Sequence, residues 1–350
     1  MRTWELLSDL PIDVEGYHLD PHEIPFPHGE ARRTTVVRLL GGGFAGSGED
    51  VGYDADAQLV FQDAGAHQPL VGATTLAGFS RLLDGLELWP GAESDPNAMV
   101  DYRRWAFESA ALDLALHQSG LSLAGALGRE PQPLRFGASL GLGDPPDASR
   151  VRGLLARYPT TRFKLDATSG WTRTLADELH ATGAIDVVDL KGYYVGTVVD
   201  QPADPVLYRL IVEAFPDAII EDARYEPAVA EILLPERARL SFDAPIHSIG
   251  DAQALPFAPA VLNSKPSRFG TLERLLDFYD WAAEEGIELY GGGQWELAVG
   301  RDQIQLLAAL FHPDGPNDVA PRRYNAAEIA DDLPTSPLEL RPSATGFGLS

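Results

Sequence analysis

Between residues 218 and 265, three short apolar segments each end on a charged side chain. They read Ala218-Ile219-Ile220-Glu221, Arg239-Leu240-Ser241-Phe242-Asp243 and Ala260-Val261-Leu262-Asn263-Ser264-Lys265. The step along the chain from Glu221 to Asp243 is 22 positions, and that from Asp243 to Lys265 is also 22. Apolar strands at this interval, with helical stretches between them, are typical of β/α units. The stretch therefore predicts a parallel sheet with right-handed crossovers.

The same alternation extends in both directions along the chain. Further strand candidates are Arg135–Leu140, Thr161–Leu165, Ala184–Asp189 and Glu288–Tyr290, and helical stretches include Thr172–Ala181, Pro205–Phe215 and Thr271–Glu285. Seven or eight units in about 190 residues fit a closed barrel better than an open sheet. Because no strand is followed by a Gly-x-Gly-x-x-Gly motif, a dinucleotide-binding fold finds no support.

The first 125 residues predict a small α+β domain. Residues 32–41 read as a strand, and residues 44–53 read as its antiparallel partner after a triple-glycine turn. Apolar spacing predicts helices over residues 70–86 and 100–119. We expect the Pro-rich segment from about residue 320 to 345 to return and cover this first domain.

Composition excludes several classes of protein. The absence of cysteine removes disulfides, thiolate nucleophiles and Cys-ligated zinc. A net charge of −25 argues against nucleic acid and anionic membranes as partners. No apolar run is long enough to span a membrane, and no signal peptide opens the sequence, so we expect a cytoplasmic protein.

Lysine is almost absent from the chain. Of the 27 basic residues, three are lysines (Lys164, Lys191 and Lys265), which leaves 24 arginines. Each lysine lies at the end of a predicted strand. Because a buried lysine can lose its proton near neutral pH and an arginine cannot, this placement indicates catalysis more than surface charge.

The predicted strand ends carry a set of seven charged residues. They are Lys164 and Asp166, Asp189 and Lys191, Glu221, Asp243, and Lys265. In a parallel barrel such ends meet at one mouth, where three carboxylates from consecutive strands can hold a hard cation such as Mg²⁺. So many charges in one mouth are costly unless they pair or bind a metal.

Four motifs give the chain a resemblance to the enolase superfamily, in its muconate-lactonising and o-succinylbenzoate-synthase-like branch. The motifs are Gly43-Phe44-Ala45-Gly46-Ser47-Gly48-Glu49, the Ala-rich Phe107–Ala115, Asn263-Ser264-Lys265-Pro266-Ser267-Arg268-Phe269-Gly270, and Gly292-Gly293-Gln294-Trp295-Glu296 followed by Gly300-Arg301. The resemblance implies an α/β fold: a modified (β/α)7β TIM-like barrel over residues 126–319, with an N-terminal α+β capping domain over residues 1–125 that is completed by about 320–350.

The resemblance also implies a function. Asp189, Glu221 and Asp243 match the three metal ligands, Mg²⁺ is the implied ion, and Lys265 matches the catalytic lysine. The expected enzyme is a lyase or isomerase that removes a proton α to a carboxylate through a metal-stabilised enediolate. Racemisation, β-elimination (dehydration) and cycloisomerisation, including o-succinylbenzoate-synthase-like chemistry, stay open. We expect a small carboxylate as substrate and a homo-oligomeric assembly.

Two departures from the family pattern concern the second and third barrel strands. Where the second strand of the family ends Lys-x-Lys, this chain has Lys164-Leu165-Asp166, so either Lys164 is the acid/base in a shifted register, with Arg162 as the other member, or Lys265 works alone. Where the third strand ends Asp-x-Asn, the chain has Asp189-Leu190-Lys191. Lys191 could contact the substrate, replace part of the metal's charge, or turn away to pair with Asp166 or Asp222.

Three further residues are candidates for binding the substrate. Glu296 matches a carboxylate near the last strands, and His22 and Phe26 lie in a stretch, about Tyr17–Gly29, predicted to be a mobile loop of the capping domain that also holds His18 and His28. Asp186 is a rival to Asp189 as a metal ligand, because strand ends are uncertain by a few residues. The alternative to an enzyme is a repurposed barrel that binds an anionic ligand without metal.

Overall fold

The computed structural model describes residues 2–26, 30–89, 96–326 and 328–350, apart from the side chains of residues 96–98. The strands are β1 (Pro11–Val14), β2 (Gly16–Pro25), β3 (Ala31–Gly41), β4 (Phe44–Asp50), β5 (Gly72–Thr75), β6 (Gly137–Gly141), β7 (Arg162–Asp166), β8 (Ile185–Asp189), β9 (Ile219–Glu221), β10 (Leu240–Ser241), β11 (Val261–Ser264) and β12 (Glu288–Gly291). The helices are α1 (Ala55–Ala64), α2 (Leu76–Asp84), α3 (Pro96–Ser119), α4 (Leu123–Leu127), α5 (Ser149–Arg157), α6 (Arg173–Ala181), α7 (Pro205–Ala214), α8 (Ala230–Leu233), α9 (Ile249–Gln253), α10 (Leu272–Glu285) and α11 (Gly300–Phe311).

Strands β6 to β12 form the wall of a parallel barrel. Five of them are hydrogen-bonded side by side in the order β10-β9-β8-β7-β6, and β11 pairs with β12. The amide of Asn263 donates to the carbonyl of Phe242 at 3.1 Å and joins β11 to the end of β10. Several helices between the strands begin on a capping side chain, as at Thr172 before α6 and Asp204 before α7. The predicted fold class, an α/β barrel with an N-terminal α+β domain, is confirmed.

A two-residue segment closes the barrel between β12 and β6. Asn317 bridges to Phe136 next to β6, and Asp318 bridges to Gly292 next to β12, both in parallel sense. The buried side chain of Asn317 strengthens this closure, because its Oδ1 accepts from the amide of Gly291 at 2.6 Å and its Nδ2 donates to the carbonyl of Arg135 at 2.9 Å. The sequence predicted a barrel of the (β/α)7β type but did not locate this short eighth strand at residues 317–318.

The capping domain consists of an antiparallel sheet, β2-β3-β4, against which the long helix α3 packs. Two glycines of β4 allow a very close approach. A Cβ atom on Gly48 would lie 2.1 Å from the carbonyl oxygen of Ala106, and one on Gly46 would lie 2.3 Å from that of Ala110. The Gly-rich strand and the Ala-rich helix therefore form a matched pair of small-residue surfaces.

Two predictions for the first domain are wrong in part. The predicted helix over residues 70–86 begins only at Leu76, because residues 72–75 pair with β1 as strand β5. The predicted mobile loop Tyr17–Gly29 is largely strand β2, which pairs with β3 along its whole length. Pro21 and Pro25 misled the sequence reading, yet proline is tolerated here because β2 is an edge strand of its sheet.

Candidate active site

Three buried carboxylates meet at the C-terminal ends of adjacent barrel strands. Asp189 ends β8, Glu221 ends β9, and Asp243 follows β10. One oxygen of each lies within 4.8 Å of the others, and all three side chains are buried. Hard oxygen donors in this number suit Mg²⁺, which completes its octahedron with water and substrate. The donor set therefore fits the ion that the sequence predicted.

A β-bulge explains why Asp189, and not Asp186, belongs to this group. Between β7 and β8 the register shifts so that Phe163 pairs with Ile185 but Lys164 pairs with Val187, which leaves Asp186 as the extra residue. The carboxylate of Asp186 accepts hydrogen bonds from Arg162 and from Arg135 near the opposite end of the strand. The register shift places Asp189 opposite Asp166 of β7 and Glu221 of β9, at the mouth of the barrel.

Lys164 approaches the carboxylates from the β7 side. Its ammonium is buried, forms an ion pair with Glu221, and lies 3.2 Å from Asp189 Oδ2 and 3.6 Å from Asp318 Oδ2. The side chain thus points into the barrel, in the register that makes Lys164 the inward lysine of the second strand. Arg162, its neighbour on the same strand, forms its ion pair with Asp186 instead.

Lys265 approaches the carboxylates from the β11 side. Its Nζ lies 2.8 Å from Asp243 Oδ2, and the Nη1 of Arg268 lies 2.6 Å from Asp243 Oδ1. The hydroxyl of Tyr194 also donates to Asp243 Oδ2 at 2.8 Å. Arg268 is placed by the 3-10 turn Pro266–Phe269 that directly follows Lys265. Lys164 and Lys265 therefore lie on either side of the three strands that carry the carboxylates.

Lys191 is bound to the metal-ligand candidate Asp189 and to Asp166. Its Nζ lies 2.5 Å from Asp189 Oδ2 and 3.1 Å from Asp166 Oδ1. The same atom lies 5.2 Å from the centre of the Tyr194 ring. The backbone of Lys191 is left-handed, with φ of 51°. The sequence left open whether Lys191 pairs with Asp166 or with Asp222, and the structure shows the pair with Asp166. The carboxylate of Asp222 accepts hydrogen bonds from the amides of Asp243 and Ala244.

The cations set the ionisation of the carboxylates. Burial raises the pKa of Asp243, but Arg268 and Lys265 outweigh it and hold that pKa well below its usual range. Burial also raises the pKa of Asp189, but the nearby ammonium groups of Lys191 and Lys164 outweigh it, so that the pKa is lowered. At Glu221, between the other two carboxylates, burial and its like-charged neighbours outweigh Lys164 and raise the pKa.

Several residues around the site were not assigned a role from the sequence. Tyr290 and Asn263 both donate to Glu221, the latter at 3.1 Å. Their position on β12 and β11, facing the barrel interior, is the signal that could have found them. Gly292 gives Lys265 its space, because a Cβ atom there would lie 2.7 Å from Lys265 Cε.

The three predicted substrate-binding residues have other contacts. Glu296 is buried, pairs with Arg301 at 2.9 Å and accepts from the amide of Gln294 at 2.6 Å. His22 lies on β2 opposite Thr34, and within the described residues no hydrogen bond or ion pair joins its side chain to the carboxylates. The ring of Phe26 lies 5.4 Å from that of Trp295. His28 lies outside the described residues.

The fold and the carboxylate site define a class of protein. Solved structures that share this fold include members of the enolase superfamily, and the resemblance predicted from the motifs is confirmed. The muconate lactonizing enzyme from Pseudomonas putida aligns over 87% of this chain and 86% of its own, with 20% identity and a TM-score of 0.60. A dipeptide epimerase from Methylococcus capsulatus, complexed with a Mg ion, aligns over 85% and 88%, with 23% identity and a TM-score of 0.62.

Within this fold the chain belongs to the family described as Domain of unknown function (DUF8230). The N-terminal domain of that family matches residues 5–126, and its C-terminal domain matches residues 130–326. Among curated proteins, an o-succinylbenzoate synthase of Geobacillus kaustophilus is 26% identical in an alignment of 227 residues that covers 61% of this chain. The match spans 58% of that relative's length. In the part of the chain that the structure describes, no helix is long and apolar enough to cross a membrane.

Proposed function

We propose that the protein is a Mg²⁺-dependent enzyme that removes a proton α to the carboxylate of a small organic acid. The observation that carries this proposal is the position of Lys164 and Lys265 on either side of Asp189, Glu221 and Asp243. When bound by these three residues, Mg²⁺ would supply positive charge that stabilises the substrate carboxylate as its α-proton leaves.

The chain's own residues divide the remaining work. Lys265 is the base in this proposal, because its side chain is less enclosed than that of Lys164 and its ammonium lies at the proposed metal ligand Asp243. Lys164 lies on the other side of the three carboxylates and would return a proton to the opposite face of a bound substrate. Arg268 and Tyr194 hold Asp243 in place. Contact of Glu296, His22 and Phe26 with the substrate is also part of this proposal, and it is supported by the contact of the Phe26 ring with Trp295, the residue before Glu296.

An amine on each side makes inversion at the α-carbon accessible, because a proton removed from one face can be replaced from the other. We therefore rank racemisation or epimerisation first, ahead of β-elimination and cycloisomerisation. The relatives include a synthase, a lactonizing enzyme and an epimerase, which supports chemistry of this kind. The alternative of a barrel that binds an anion without metal is not supported, since the carboxylates form a donor set that suits a divalent cation.

The proposal is tested by exchange of α-hydrogen with D₂O, followed by NMR over a panel of single enantiomers of N-acyl amino acids and 2-hydroxy acids. With Mg²⁺, the native protein is expected to exchange the α-hydrogen of at least one acid, and Lys265→Met is expected to abolish exchange of the enantiomer whose α-hydrogen faces Lys265. Arg135→Gln, which removes a cation at the other end of the barrel, is the control and should retain exchange. If Lys265→Met exchanges both enantiomers as fast as the native protein does, the proposal is contradicted.

A further inference from the structure

Lys191 differs from the other two lysines of the site in its surroundings. Its side chain is 14% exposed, against 2% for Lys164 and 7% for Lys265. It also has a carboxylate partner on the mouth side of the barrel, Asp166, whose side chain is 33% exposed. Lys191 is therefore the most exposed of the three lysines, and Asp166, which is not one of the proposed metal ligands, already lies within ion-pair distance of its ammonium.

Both oxygens of Asp189 are occupied by Lys191. The backbone amide of Lys191 donates to Asp189 Oδ1 at 2.9 Å, and its ammonium donates to Asp189 Oδ2 at 2.5 Å. The second of these oxygens also lies 3.2 Å from the ammonium of Lys164. A divalent cation that binds Asp189 must therefore displace an ammonium or lie beside it.

We propose that Lys191 is a built-in competitor of the divalent cation at Asp189, and that Asp166 is the partner that receives the ammonium when the cation binds. This inference rests on the metal site of the proposed function. Lys191 and Asp166 act through Asp189 and are positioning residues: together they set the affinity of the site for the cation. With the left-handed backbone of Lys191, both its amide and its ammonium donate to Asp189.

The two residues should have opposite effects on Mg²⁺ binding. Lys191→Met removes the competing charge with little change in volume, and it is expected to tighten Mg²⁺ binding at least about tenfold, since unit charges a few ångströms apart interact strongly in a partly buried site. Lys191→Arg keeps the charge and should leave binding weak. Asp166→Asn removes the alternative partner, keeps the ammonium on Asp189 and should weaken binding.

A general change in local charge would produce effects of the same sign, so the experiment needs a double variant. If Asp166 acts through Lys191, Asp166→Asn should have a much smaller effect in the Lys191→Met background than in the native protein. Arg135→Gln removes one positive charge at the far end of the barrel and should leave Mg²⁺ binding unchanged. The readout is the Kd for Mg²⁺ from titration calorimetry on the full chain, with unfolding temperature in chelator as a check on folding.

The inference is supported by tighter binding in Lys191→Met together with a reduced effect of Asp166→Asn in that background. It is overturned if native protein and Lys191→Met bind Mg²⁺ equally, or if Lys191→Arg tightens binding as much as Lys191→Met. In those two cases the metal site of the proposed function still stands, because binding is observed. If neither the native protein nor any variant binds Mg²⁺, both the inference and the metal-dependent function fail.

Discussion

The ammonium of Lys265 lies 2.8 Å from Asp243 Oδ2, although the two residues end neighbouring β/α units of the barrel. The lysine has room for this position because Gly292, the residue directly after β12, has no side chain. The first glycine of the Gly292-Gly293 motif therefore leaves the space that is filled by Lys265, the lysine that we propose as the base.

Gly292→Ala should impair catalysis while the fold is retained. The new Cβ atom would lie 2.7 Å from Lys265 Cε and 2.7 Å from Asn263 Oδ1, so the lysine must move. Displacement of a catalytic group by about 1 Å can lower the rate about 100-fold. The measurement is the rate of α-hydrogen exchange. Gly250→Ala, whose Cβ atom has only the Ser248 hydroxyl at 3.5 Å, is the matched control, and an equal loss in both variants contradicts the argument.

Gly48→Ala should destabilise the capping domain. Its Cβ atom would lie 2.1 Å from the carbonyl oxygen of Ala106 and 2.2 Å from Ser109 Oγ, so α3 and β4 must separate. Overpacking of this kind costs about 1–3 kcal/mol of unfolding free energy. Urea unfolding measures the change, and Gly16→Ala, which meets nothing within 4 Å, should be close to neutral. Equal stability of the two variants would show that the helix can move away at no cost.

Asn317→Asp should weaken the closure of the barrel. The Nδ2 of Asn317 lies 2.9 Å from the carbonyl of Arg135, 3.0 Å from that of His312 and 2.9 Å from that of Gly315. A carboxylate of the same shape cannot donate to them, and we expect a loss of about 2 kcal/mol or more. Thermal unfolding tests this expectation. The exposed Asp314 supplies the control, since Asp314→Asn should leave the melting temperature unchanged.

Stability should fall in mild acid because of His312. Burial lowers the pKa of this histidine to about 4, while in the unfolded chain it is about 6.5. Between these values the unfolded chain takes up a proton that the folded chain does not, so stability falls as the pH drops from about 6.5 to about 4, by about 3 kcal/mol in total. Unfolding of His312→Gln over the same range should lack this part of the pH dependence. Parallel curves for the two proteins would rule His312 out.

The strand ends made most of the barrel predictable. Seven predicted strands lie close to β6–β12, because short apolar segments that end on charged residues have few alternative structures. The same pattern predicted that the charged residues would meet, and all seven of them do so.

What sequence reasoning missed depends on contacts between distant segments. The closing strand at Asn317 and Asp318 is too short to have a periodicity, and it exists only because β6 and β12 flank it. Strand β2 was mistaken for a loop because its pairing with β3 outweighs two prolines at a sheet edge. The contact of Tyr194 with Asp243 joins a loop after β8 to the end of β10, and no local pattern encodes it.

The most direct test of the central claim compares two aspartates of the same strand. Mg²⁺ binding is measured by titration calorimetry on the native protein, Asp189→Asn and Asp186→Asn. The two variants carry the same substitution, one at the proposed metal site and one at the bulge near the other end of β8. The account predicts one Mg²⁺ per chain in the native protein and in Asp186→Asn, and loss of that binding in Asp189→Asn. Equal Mg²⁺ binding by the two variants, or none by the native protein, would contradict it.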